Sequence, residues 1–352
     1  MQTRRVIGGE FELSEFKLGS PDMLSRLTRG LSGTWTLSGR SALSLILRTL
    51  QGEGIRHIHL PTYLCESLIQ PVKALGLRYS FYPVEADLRA KPDPPSGAAV
   101  LIIHYFGWPN SAASDLRAEA GRSFQLIEDA CQALLSDWSA SVSVPRFIFL
   151  SPRKFGPTLL GGWCNVSVNL AEAPRDTTAL VQRSLAARIA RGAYLAEPDA
   201  PVNVSVERGY LEVFEAQERF LDDHPTYASV PQLVLDVAAG LDWGAIAARR
   251  RQNWQILSDC LRGYVEPVIP VLPPSVVPLG YVVRLKERDR VRARLAERRI
   301  FCPVHWPIPS VCRGYASREA IALAESCLTL PVDQRYGTED MLYVADTLKA
   351  LM

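Results

Sequence analysis

Between Ser41 and Val168, short β-rich runs alternate with amphipathic stretches, and this alternation constrains the fold more than any other feature of the sequence. Residues 41–51 (SALSLILRTLQ) place Leu43, Ile46, Leu47 and Leu50 at helical spacing, and Gly52 with Gly54 ends the run. There follow a strand at 56–60 (RHIHL), a helix at 65–76, and strands at 78–83 and 98–104 (AAVLIIH). A helix at 114–121 and strands at 124–129 (FQLIED), 146–150 (RFIFL) and 162–168 (GWCNVSV) complete the series. Parallel neighbours need long crossovers, so strands separated by helices imply a mostly parallel central sheet covered by helices. One large α/β domain is expected over residues 1–237, with a helix-rich stretch at 171–223 and a proline-bounded loop at 224–231 (HPTYASVP).

The pattern then changes. A long helix at 241–263 is followed by a strand at 279–285, a helix at 287–299, a strand at 300–306, and helices at 320–327 and 338–351. Residues 238–352 therefore read as a smaller C-terminal α+β domain.

Composition excludes several classes of partner. With 352 residues and a formal net charge of +2, the chain has no excess positive field for a nucleic acid or an anionic membrane, and Arg249–Arg251 read as a solvated helix face. The seven cysteines are scattered without a CxxC pair, as in reduced cytoplasmic proteins. The start has two arginines but no apolar segment of signal-peptide length, and AAVLII is too short to span a bilayer. An unprocessed cytoplasmic protein is expected. No metal is expected either: His57 and His59 share a strand face but have no third ligand at suitable spacing, and Cys302 with His305 is no stronger.

In an open α/β sheet, ligands bind outside the carboxyl ends of the strands. Four segments reach that edge: FQLIED ends in Glu128 and Asp129, AAVLIIH in His104 with Tyr105 and Phe106 next, RFIFL runs into Ser151 and Lys154, and a helix starts at Ser38-Gly39-Arg40-Ser41. Together they supply what pyridoxal 5′-phosphate (PLP) requires. A partly desolvated lysine can hold the aldehyde as a Schiff base and move protons, which suits Lys154. A carboxylate opposite the pyridine nitrogen keeps the ring an electron sink. Strand alternation gives that task to Asp129 and turns Glu128 to the other side. Gly39, Arg40 and Ser41 at a helix start offer N–H groups, hydroxyls and a favourable dipole to the phosphate, with Ser151 adding a hydroxyl. Gln132, three residues after Asp129, can donate to the phenolic oxygen or line the substrate side.

The same residues resemble the DegT/DnrJ/EryC1 family of PLP-dependent sugar aminotransferases, of fold-type I. LSGRSALSLILRTL is similar to the family's phosphate-binding helix start, FQLIEDACQAL to the segment ending in its aspartate, and SPRKFGPTLLGGW to its lysine segment. IFCPVHWPIP is similar to the small-domain loop that approaches the sugar. The resemblance implies a ping-pong transfer of nitrogen from an amino acid such as glutamate to a nucleotide-linked keto sugar, in polysaccharide biosynthesis. It also implies a homodimer with the site near the subunit interface, and makes His104, Tyr105, His305 and Trp306 candidates for substrate contact. Cys65 stands where the family has an aromatic stacked on the cofactor ring, so Tyr63 or a residue of His104-Tyr105-Phe106 is expected to stack instead. Phe149 replaces a family serine, and Ser229 is the candidate for the asparagine given by the second subunit. Other outcomes for such a chain are a sugar dehydratase or a non-catalytic binder of nucleotide sugars.

Overall fold

The computed structural model describes residues 4–15, 17, 19–138, 147–226 and 229–352. Strand β1 (Ile7–Gly8) and helix α1 (Pro21–Leu27) precede a seven-stranded sheet. Its strands are β2 (Thr34–Thr36), β3 (His57–Pro61), β4 (Arg78–Tyr82), β5 (Ala99–Ile103), β6 (Gln125–Asp129), β7 (Phe147–Leu150) and β8 (Gly162–Cys164), in spatial order β2-β8-β7-β6-β5-β3-β4. From β7 to β4 every pairing is parallel, while β8 runs antiparallel to both of its neighbours. Helices α2 (Gly39–Gly52), α3 (Ile69–Ala74) and α4 (Ala113–Glu119) are the crossovers that parallel pairing demands. Strand β5, Ala-Val-Leu-Ile-Ile, is buried at every position, as a central strand covered on both faces must be. The main core joins Leu43 and Ile46 of α2 to Ile58, Leu101 and Ile127 of the sheet.

After the sheet come α5 (Arg175–Leu195), α6 (Val204–Asp223), α7 (Gln232–Ala239) and α8 (Trp243–Leu261). The C-terminal part holds β9 (Glu266–Pro267), β10 (Tyr281–Arg284), α9 (Arg288–Glu297), β11 (Ile300–Phe301), α10 (Arg318–Ser326), β12 (Cys327–Leu330) and α11 (Thr338–Lys349). Strands β12-β10-β9 form an antiparallel sheet with its own core of Trp254, Leu257, Val283, Leu295, Leu328 and Met341. Ile7 belongs to this second core: β1 pairs in parallel with β11, and the Gly8 N–H donates to Tyr336 Oη at 2.7 Å.

Several elements differ from the sequence-based expectation for local reasons. The strand expected to reach residue 168 stops at Cys164, because Asn165 turns its side-chain carbonyl onto the Ile148 N–H at 2.8 Å. Of 300–306 only Ile300–Phe301 is strand, since Pro303 lacks the N–H a ladder needs. Cys327 opens β12 opposite Arg284 instead of closing a helix. The helix expected from 65 begins as a 3-10 turn, Glu66–Leu68, before α3. Arg146, Tyr227 and Ala228 lie outside the described residues. The largest correction concerns Arg249–Arg251: Arg250 is 1% exposed, not solvated.

Candidate active site

Register decides which strand-end residues meet. Asp129 pairs with Ile103 on one side and Phe149 on the other, so with a period of two Asp129, Phe149 and Ser151 share the face toward α2. Glu128 pairs with Ile102 and takes the opposite face with His104. There Arg117 grips Glu128 with Nε and Nη2, both at 2.7 Å, and His104 Nε2 meets it at 2.9 Å. Burial would raise the Glu128 carboxyl, but hydrogen bonds from Arg117 and His104 outweigh it and hold the group below the usual carboxylate value. His104 is spent on this network, since its Nδ1 accepts the Asn110 N–H at 2.9 Å. Neither His104 nor Tyr105 lines the cavity on the Asp129 side; the Tyr105 hydroxyl donates to the Tyr63 carbonyl at 2.5 Å.

That cavity gathers most of the other predicted residues. Asp129, Gln132, Ser151 and Lys154 line it together with Ser38, Gly39, Arg40 and Cys65. Asp129 is nearly inaccessible, and its Oδ1 accepts the Cys131 N–H at 2.8 Å. Burial pushes its carboxyl above the usual aspartate value, opposed by the nearby Lys154 ammonium. Ser38 caps α2 by accepting the Ser41 N–H at 3.2 Å, which leaves Ser41 behind the lining. Ser151 donates to the Gly161 carbonyl at 3.0 Å. Ser229 lies elsewhere, donating to the Ala171 carbonyl at 2.7 Å.

Aromatic residues distribute differently from expectation. The rings lining the cavity are those of Phe149 and Trp306, with Lys154 Nζ 5.8 Å from the Trp306 ring centroid. Tyr63 and Phe106 are buried outside the lining. His305 is also set back, its Nδ1 2.9 Å from Thr329 Oγ1; burial and then the Lys154 charge lower its imidazole to about 3.

Four further residues, none of which sequence reasoning placed in the site, complete the surroundings. Arg153 lines the cavity beside Lys154, and Glu218 of α6 pairs with it. Arg250 of α8 reaches under the Lys154 turn, donating to the Phe155 carbonyl at 3.1 Å and the Leu279 carbonyl at 3.1 Å with its guanidinium 4.8 Å from the Phe155 ring centroid. Burial lowers this guanidinium to about 10, against the opposing charge of the Asp333 carboxylate. Gly162 is required where β8 passes beneath the α2 start, because a Cβ there would lie 2.2 Å from the Ser38 carbonyl oxygen.

These residues fit PLP. Gln132 Oε1 accepts the Phe106 N–H at 2.8 Å, yet its buried Nε2 has no partner among the described residues, which leaves a donor for an acceptor in the cavity. An acid stands across from an amine, and a capped helix N-terminus with two serines lies beside them.

No protein-family model matches the sequence, and no curated protein matches it. Solved structures do. Spr1654 from Streptococcus pneumoniae, in its PLP form, is 16% identical with a TM-score of 0.67 over 99% of this chain and 98% of that one. Sugar aminotransferase CalS13 from Micromonospora echinospora is 20% identical with a TM-score of 0.60, over 96% and 99% of the two chains. A GDP-4-keto-6-deoxymannose-3-dehydratase, trapped with a PLP-glutamate geminal diamine, is 15% identical with a TM-score of 0.64 over 95% and 94%. The chain therefore has the fold of the PLP-dependent sugar aminotransferases of DegT/DnrJ/EryC1 type, fold-type I.

Proposed function

We propose that this chain is a PLP-dependent aminotransferase that moves nitrogen from an amino acid, glutamate in the first instance, to a nucleotide-linked keto sugar. It would work as a cytoplasmic homodimer. The observation that carries the reading is the convergence of Lys154, Asp129 and the Gln132 Nε2, which has no partner among the described residues, on one cavity at the carboxyl ends of β6 and β7.

Bound PLP supplies an electron sink for the pair left when a Cα–H bond breaks. Lys154 supplies the amine that holds the cofactor aldehyde and, once released, takes and returns the Cα proton through Nζ. Asp129, kept from water and fixed by the Cys131 N–H, is placed to hold a proton on the pyridine nitrogen. Gln132 Nε2 would be the donor available to the phenolic oxygen. Trp306 lines the cavity with its ring centroid 5.8 Å from Lys154 Nζ, an apolar wall beside the amine.

Absorbance tests the reading. The purified chain mixed with PLP is expected to gain a band near the visible edge that borohydride removes, and Lys154→Ala to lack it. Glutamate should then bleach the band and a keto sugar restore it. A wild-type chain without the band sinks the proposal, and a sugar product that has lost water without gaining nitrogen replaces transfer with dehydration.

A further inference from the structure

Two guanidinium groups crowd the end of the cavity where the helix start offers its N–H groups. Arg40 is the second residue of α2 and Arg153 directly precedes Lys154, and both line the cavity beside Ser38 and Ser151. Their side chains are 12% and 21% exposed. Both are already paired with α6. Glu218 bonds Arg153 through Nη1 and lies 3.5 Å from its Nη2, while its Oε2 is 3.9 Å from Arg40. Asp222, one turn further, accepts from Arg40 Nη2 at 2.7 Å and from Gln70 Nε2 at 3.1 Å. Gln70 Oε1 accepts from Arg40 Nε at 2.9 Å.

Two cations thus face two carboxylates, so the four charges balance within the cluster. Glu218 stays ionised there, because Arg153 and Arg40 overcome the effect of its burial. A cluster built only to dock α6 has no reason to sit at a helix N-terminus, where the dipole and the free N–H groups favour an anion from outside the chain. Guanidinium forks suit phosphate oxygens as well as they suit carboxylates. A phosphate dianion and the Glu218 carboxylate cannot both lie against Arg153 without strong like-charge repulsion.

We infer that Arg40 and Arg153 receive the phosphate of the cofactor, and that Glu218 is the internal anion which this phosphate displaces from Arg153. This rests on the PLP reading above. The two arginines add their donors to those of the helix start, and Asp222 with Gln70 keeps Arg40 aimed while Glu218 leaves.

Equilibrium binding of PLP and of pyridoxal, which has the same aldehyde and no phosphate, tests the assignment when Lys154 adducts are trapped with borohydride and counted by mass. Arg153→Gln is expected to weaken PLP about tenfold or more, Arg40→Gln somewhat less, and both to leave pyridoxal within about twofold. Glu218→Gln, which keeps the shape of the pair, is expected to tighten PLP severalfold and to make inorganic phosphate a better competitor. Equal weakening of PLP and pyridoxal by Arg153→Gln would mean that the arginine only docks α6, and unchanged or weaker PLP binding in Glu218→Gln overturns the displaced anion. A wild-type chain that binds neither aldehyde refutes the cofactor itself, whereas wild-type binding that survives Arg153→Gln unaltered refutes only the phosphate assignment.

Discussion

Glu128 and Asp129 are neighbours in the chain with opposite surroundings, one locked to Arg117 and His104, the other facing Lys154. Replacing Asp129 with Asn keeps its shape and removes the charge, so kcat/KM is expected to fall about 10²–10⁴-fold while PLP still binds; steady-state kinetics beside the absorbance band checks this. A second prediction concerns acid. His305 titrates near 3 in the folded chain against the usual 6.5, so the unfolded chain binds the extra proton between these values. Its contribution to stability is complete above pH 6.5 and is lost as pH falls toward 3. Urea unfolding of His305→Gln should show a shallower acid-side slope than wild type; identical slopes would contradict it. At this scale the sequence was most legible where alternation applies. Strand ends pointed to Lys154, Asp129 and Ser151, a three-residue spacing from Asp129 pointed to Gln132, and period two put His104 behind the sheet once the register with β6 was known. The identity of a strand-end residue alone does not reveal its side, which is why His104 and Tyr105 looked like substrate contacts.

Elements carry what single residues cannot show. Helices α2 and α8 and strand β8 were readable from apolar spacing and glycines, but the α6 carboxylates and the buried Arg250 depend on packing between segments far apart in sequence. A charge run looks solvated until the helix beneath the Lys154 turn is known to turn one of its arginines inward. Removing that arginine in Arg250→Ala strands the Phe155 and Leu279 carbonyls and opens a void, at a cost of about 2–4 kcal/mol. Chemical denaturation should record that loss, together with weaker PLP binding as the turn loosens. Gly162→Ala strikes the opposite side of the cavity: a methyl 2.2 Å from the Ser38 carbonyl forces the α2 start away from β8. PLP affinity is expected to drop about tenfold or more with the secondary structure intact by circular dichroism.

For the whole molecule, the alternation of strands and helices was sufficient to anticipate a mostly parallel sheet covered by helices, because crossovers and handedness leave few alternatives. Irregular pieces were harder to read: Asn165 ending β8 and Pro303 ending β11 are decisions of single side chains. Light scattering is expected to return a dimer, and a monomer at the concentrations used for activity would remove the second subunit from the proposal.

The pairing of β1 with β11 has a consequence for how the chain reaches this state. Ile7 pairs with Ile300, about 290 residues further along, so it remains without that partner until the intervening chain has been synthesised. At roughly 5–20 residues per second that wait is on the order of 15–60 s. The seven strands around Lys154, all of them complete by Cys164, can assemble during this interval, before β1 and β11 can meet.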